Sequence, residues 1–271
     1  MWVIKPFYKF VNAVGRVTLK FLEATGKLTL VFTRTNYWMF KPPFEGKIVL
    51  DQMVHMGVNS LPVVCLISLF TGMVMALDIG VTSENIVNEA MFIGPIVAIA
   101  MARELSPVAT ALIVAGRVGS AITAELGTMK ITEQTDALFT LGTNPFQYLS
   151  VPRVIAGMIT VPLLTIFSIF TGIVGGLLVS LWRLRISFAT FARDFIAYVQ
   201  LGDLFHGVIK SFFFAAIIIT VSCFKGLSVE GGAKGVGDAT TSAVVISMIL
   251  VLIVDFFLSW VLMSVGIGGV G

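Results

Sequence analysis

Charge is what this chain has least of. Only 12% of its 271 residues are Asp, Glu, Lys or Arg, against 57% hydrophobic. A soluble domain carries about 25% charged residues. The shortfall leaves too little polar surface to coat a globule of this size, so a water-soluble fold is excluded. Cysteine is almost missing: Cys65 and Cys223 each sit inside an apolar run, which excludes a disulfide framework and reads as inert packing. The two histidines, His55 and His206, are far apart, so no metal cluster assembles from sequence. A cleavable signal peptide is not expected, because basic residues interrupt the first stretch where a continuous apolar region would be needed. Reactive constellations are lacking too, with no Ser/His/Asp arrangement and no paired carboxylates placed for hydrolysis. The glycine-rich run at 229–241 has no GxxxxGK[ST] spacing and follows an apolar helix, not a strand, which excludes a phosphate cradle. No catalytic residue, metal or cofactor is expected.

What the chain does have is long apolar runs with lopsided charge. Eight of its 18 Lys and Arg fall in the first 50 residues, marking the N-terminus as cytoplasmic. Residues 1–24 place Ile4, Phe7, Val11, Val14 and Phe21 opposite Lys5, Lys9, Arg16 and Lys20, the pattern of an amphipathic helix in the membrane interface. Residues 28–40 are too short to span and are expected to form a second interfacial or re-entrant segment, stopped by Pro42 and Pro43. The expected organisation is an interfacial region over 1–50 and a transmembrane domain over 51–271. Spans are expected near 53–77, 90–124, 154–182, 205–224 and 243–265, with the C-terminus outside. The second apolar run is about 52 Å long as a straight helix, beyond the roughly 30 Å hydrocarbon core; Pro95 and Pro107 are the expected breaks. The fold class is therefore an all-α integral membrane protein: five transmembrane helices preceded by N-terminal interfacial amphipathic helices. No internal repeat is evident, which weakens an inverted-repeat carrier.

Four ionisable groups fall inside these spans: Arg103 and Glu104 in the second, Lys210 in the fourth and Asp255 in the fifth. An unpaired charge at the bilayer centre costs at least about 2.5–3.5 kcal/mol, so a mutually neutralising network is expected. It is either a helix-pinning device or a functional one. In the same second span, Ala115, Gly119 and Thr123 form one row of small residues and Gly116, Ser120 and Ala124 a parallel one, which lets helix backbones approach closely. Then comes a short cytoplasmic helix over 132–141, with Thr132 as expected N-cap and Gly142 as stop. Too short to be stable alone, it is expected to dock a partner.

The stretches RELSPV (103–108), AGRVGSAITAELGTMKITEQTDAL (115–138), LGTNP (141–145) and VPR (151–153) together resemble the MlaE/YrbE permeases, membrane subunits of ABC systems that work with MCE proteins. Weaker similarity covers nearly all of the rest; Ser106 stands where the family usually has Gly. The resemblance implies a homodimer in the inner (cytoplasmic) membrane, with a cytoplasmic ABC ATPase held through the short helix. The coupling residues would be Glu125, Lys130, Thr132, Glu133, Gln134, Asp136 and Leu138. It further implies an external MCE-domain hexamer, a small cytoplasmic accessory subunit and phospholipid or related lipid as substrate, with no nucleic acid. The charged residues Arg103, Glu104, Lys210 and Asp255 carry over, and an outward lipid pocket would be lined by Met75, Ile79, Thr82 and Ile86. The competing readings are a proton-coupled lipid carrier using Glu104 and Asp255, and a lipid-modifying enzyme.

Overall fold

The computed structural model describes residues 46–87 and 93–266, with scattered helical positions between 15 and 37. The interfacial helices expected over 1–24 and 28–40 lie largely outside the described residues. Among the described residues there is no strand, and five helices are long and apolar enough to cross a membrane: Gly46–Ser83, Ile93–Ile131, Phe146–Trp182, Leu201–Leu227 and Gly232–Ser264. Helix is what these sequences must form in lipid, where each backbone N–H and C=O has to be satisfied within its own segment. Hydroxyls within the spans follow the same rule. Ser60, Thr123, Thr160, Thr165, Ser180 and Ser222 each donate to the carbonyl four residues earlier, at 2.6–3.0 Å.

All five spans begin or end beyond the expected limits. The first three are 37–39 residues long, roughly 57 Å, and so extend past the hydrocarbon on both sides. The fifth starts at Gly232 instead of 243. The glycine-rich segment read as a loop is mostly helix, with the turn confined to 228–231 and Gly231 and Gly232 at positive φ (88° and 71°).

Pro95 and Pro107 do not break the second run. Pro95 lies in the first turn of Ile93–Ala100, where no intrahelical N–H is needed. Pro107 follows a π-helical turn, Met101–Leu105, that widens the helix by one residue and keeps it continuous.

Glycines decide which spans touch. Gly72 of the first span and Gly172 of the third meet backbone to backbone, and any Cβ on Gly72 would overlap the Gly172 carbonyl. Gly175 faces the Leu69 carbonyl and Gly176 faces Val97. Ser68 and Ser168 share a 2.6 Å hydrogen bond across the same seam. The small rows of the second span separate by partner. Gly119 and Thr123 pack on Ser222 of the fourth span, Thr123 Oγ1 donating to its carbonyl at 3.2 Å, whereas Gly116 lies beside Met248 of the fifth. The fourth span is the most enclosed, with 61% of its apolar window buried, and the fifth the least, with 11%. The fifth therefore presents most of its length to lipid or to another chain.

Candidate functional site

Lys210 organises the membrane-depth cluster. It is fully buried. Its Nζ lies 2.6 Å from Glu104 Oε2 of the second span and 2.9 Å from Asp255 Oδ1 of the fifth. Nζ also donates to the Arg103 carbonyl at 3.1 Å. That carbonyl is free because residue 107, four positions on, is a proline and has no N–H to offer it. The proline therefore leaves an acceptor for the lysine while the helix stays continuous. Ser259 Oγ completes the shell, donating to Glu104 Oε1 at 3.2 Å and to the Asp255 carbonyl at 2.8 Å.

Arg103 does not join Lys210's carboxylates. It reaches the start of the fourth span, where its Nε donates to Asp203 Oδ1 at 2.6 Å. Asp203 is buried, and its other oxygen accepts the Gln200 N–H at 2.9 Å in a capping box. The expected single neutral network of four residues is thus two linked sets. One holds Glu104, Lys210 and Asp255; the other holds Arg103 and Asp203. Asp203 escaped the sequence reading because it falls in a mixed polar segment outside the expected span. Two signals mark it: an acid at the third position of a helix capped by Gln200, and a spacing of seven residues, two turns, from Lys210. One turn before Lys210, His206 is wholly buried.

Next to this cluster, the first span and Leu105 border an apolar groove of about 480 Å³ that includes Phe70, Thr71, Val74 and Met75 and has Asp78 at one end. Of the four expected pocket residues, Met75 lines it. Ile79 packs, half-buried, against the Val97 and Met101 cluster, Thr82 is exposed farther out, and the side chain of Ile86 lies outside the described residues.

At the opposite end of the second span, the short helix is Gln134–Thr140. Thr132 is not its N-cap. It closes the preceding helix, its hydroxyl bonded back to the Thr128 carbonyl at 2.8 Å, and Glu133 turns the chain with φ +59°. A β-branched residue that can bond backward ends one helix as readily as it starts the next, which is why the sequence misleads here. Lys130 pairs with Asp136 at 2.9 Å, and Glu125 with the buried Arg153 at 2.8 Å. Thr135 and Leu138 turn inward, while Glu133, Gln134 and Asp136 are exposed. Phe139 and Leu141 are 73% and 79% exposed. Phe139 lines a cleft of about 690 Å³ together with Tyr37, Lys130, Asn144, Phe146 and Leu227. Exposed apolar side chains on so short a helix have the character of an interaction surface. Among the described residues no group of His, Cys, Asp and Glu could hold a metal.

Known proteins are similar to this chain over most of its length. A family model described as Permease MlaE matches residues 49–261. A probable ABC transporter permease protein of Rickettsia typhi is 41% identical over 254 residues, covering 94% of this chain and 98% of the relative. One from Synechocystis is 44% identical over 223 residues, covering 80% and 84%. The chloroplastic protein TRIGALACTOSYLDIACYLGLYCEROL 1 of Arabidopsis thaliana is 42% identical over 219 residues, covering 79% of this chain and 62% of that protein.

Proposed function

The chain belongs to the MlaE permease family, the multi-pass membrane component of ABC transporters and not itself an enzyme, and from that premise we propose that it moves phospholipids or related lipids between the inner and outer envelope layers. It works as a homodimer in the inner membrane, N-terminus cytoplasmic and C-terminus external. A permease of this class has a partner ATPase and a substrate. The ATPase engages the Gln134–Thr140 helix and its exposed Phe139 and Leu141, with Glu125, Lys130, Glu133, Gln134 and Asp136 around them. An external MCE-domain hexamer receives or delivers the lipid, and a small cytoplasmic subunit accompanies the ATPase.

The observation that carries a lipid substrate is the groove at Phe70, Met75 and Leu105. It is mainly apolar, with Thr71 its one hydroxyl, lies on the exposed side of the first span, and has a single carboxylate, Asp78. Those features fit acyl chains along the groove and a polar headgroup at its end. The Arabidopsis relative, whose name is that of a diacylglycerol glycolipid, supports the same class. Glu104 and Asp255 serve as counter-charges for Lys210, which leaves neither free for the proton carrier considered from sequence. The test is reconstitution of the chain with its ATPase. ATP hydrolysis stimulated by phospholipid is expected, and lipid movement by the chain alone under a pH gradient would overturn the reading.

A further inference from the structure

The charges between the third and fourth spans run against the rule that basic residues collect on the cytoplasmic side. Under the topology proposed above, on which this inference rests for its choice of leaflet, Arg183, Arg185 and Arg193 lie outside, and all three are exposed. Asp203, the nearest buried acid in the sequence, is taken by Arg103. Asp194 remains, 3.3 Å from Arg193 Nε. Arg183 and Arg185 have no ion-pair partner among the described residues. Arg185 also holds φ +55°, a region few non-glycine residues adopt.

The helix that follows, Phe188–Tyr198, begins at a Ser187 cap, whose hydroxyl accepts the Thr190 N–H at 3.2 Å. Phe191 is buried against Gly94, so the helix lies over the outer end of the second span. Arg193, two residues on, points to roughly the opposite side. Between these sides runs an exposed apolar flank, Phe188 and Ile196. The adjoining ends of the third and fourth spans add Trp182 and Leu201, 88% and 75% exposed. We infer that this helix lies in the membrane plane, its apolar flank in the outer leaflet, with Arg193 and the two arginines of the turn before it, Arg183 and Arg185, on the phosphates of anionic phospholipid headgroups. An apolar flank beside a cationic edge is the pattern of an interfacial helix, and guanidinium pairs phosphate oxygens in a bidentate fashion. A lipid surface fits better than a protein partner because the free apolar side chains continue directly into span ends that already meet lipid.

Trp182 provides the probe. In full-length protein carrying W2F, W38F and W260F, reconstituted with its ATPase, brominated phosphatidylglycerol should quench Trp182 several-fold more effectively than brominated phosphatidylcholine at the same fraction. R183Q/R185Q/R193Q should erase that preference while leaving phosphatidylcholine quenching in place. Equal quenching by both lipids in the parent, or quenching by neither, overturns the inference. So does loss of a co-purifying external protein in the arginine variant with no lipid preference in the parent, which would assign the face to a protein. The leaflet is tested separately with A197C in a C65A/C223A background. Labelling by an impermeant maleimide from outside is expected. Labelling only from the cytoplasmic side overturns the topology of the proposed function, whatever the lipid preference shows.

Discussion

Two ionic contacts made by the second span, one at Glu104 within it and one at Lys130 at its end, have nearly the same lengths and very different surroundings. Lys210 sits 2.6–2.9 Å from two carboxylates with its side chain fully buried, whereas Lys130 sits 2.9 Å from Asp136 with the two side chains 35% and 62% exposed. Distance alone does not rank them. A solvated pair is worth about 0–1 kcal/mol because water offers each charge nearly as much as its partner does. A buried charge that loses its partner has no such alternative. The same bond is therefore costly to break at membrane depth and cheap to break at the solvated end.

That contrast predicts a graded series. Lys210→Met should have the largest effect, up to about 3–5 kcal/mol of lost stability in thermal or denaturant unfolding, since it strands Asp255, 17% exposed, and with it the part-exposed Glu104. The triple variant K210M/E104Q/D255N should recover most of the loss. A triple as unstable as the single would show that burial of charge is not the cause. Asp203→Asn comes next, at about 1.5–3 kcal/mol, because Arg103 loses a charged acceptor. Exchanging the partners as R103D/D203R should restore more stability than exchanging Arg103 with Glu104, which faces each charge with its like. If the Arg103/Glu104 exchange is the better tolerated, the division into two sets is wrong.

Glu125→Gln should fall between the extremes. Its own side chain is 55% exposed, but Arg153 opposite is only 6% exposed and keeps a 2.6 Å bond to the Leu149 carbonyl, so a loss of roughly 1 kcal/mol is expected by the same unfolding assay. Asp136→Lys with Glu133→Lys should change stability least, by no more than about 1 kcal/mol, yet should abolish lipid-stimulated ATPase activity of the reconstituted complex. Unchanged activity would remove the docking role assigned to that helix; a large stability loss would break the comparison itself.

Much of the fold was legible in the sequence because lipid leaves few choices. A chain so apolar must be helical where it spans, and the five runs were found in order. Their ends were misjudged for a physical reason: Gly232–Thr241 and Phe146–Ser150 are helix outside the apolar windows, and weak propensity is overridden there by packing against neighbouring spans. At the candidate site, Arg103, Glu104, Lys210 and Asp255 stood out as charges at depth. Their pairing did not, since a one-dimensional pattern cannot say which face of a helix a charge takes after a π-helical turn shifts the register. Thr132 shows the same limit on a smaller scale, where two local hydrogen-bond options differ little in energy and the chain trace between two helices chose.

By itself the sequence determined the solvent this protein folds in, the number of its spans and the residues too costly to leave unpaired, because those follow from transfer free energies that each residue carries with it. Tertiary structure decided the partners. Pro107 left the Arg103 carbonyl without its α-helical donor, the end of the fourth span brought Asp203 to Arg103, and Gly207, where any Cβ would overlap the Ala102 carbonyl, let the fourth span approach the second closely enough for Lys210 to reach Glu104. Pairing depends on geometry between helices, and geometry exists only once the helices have packed.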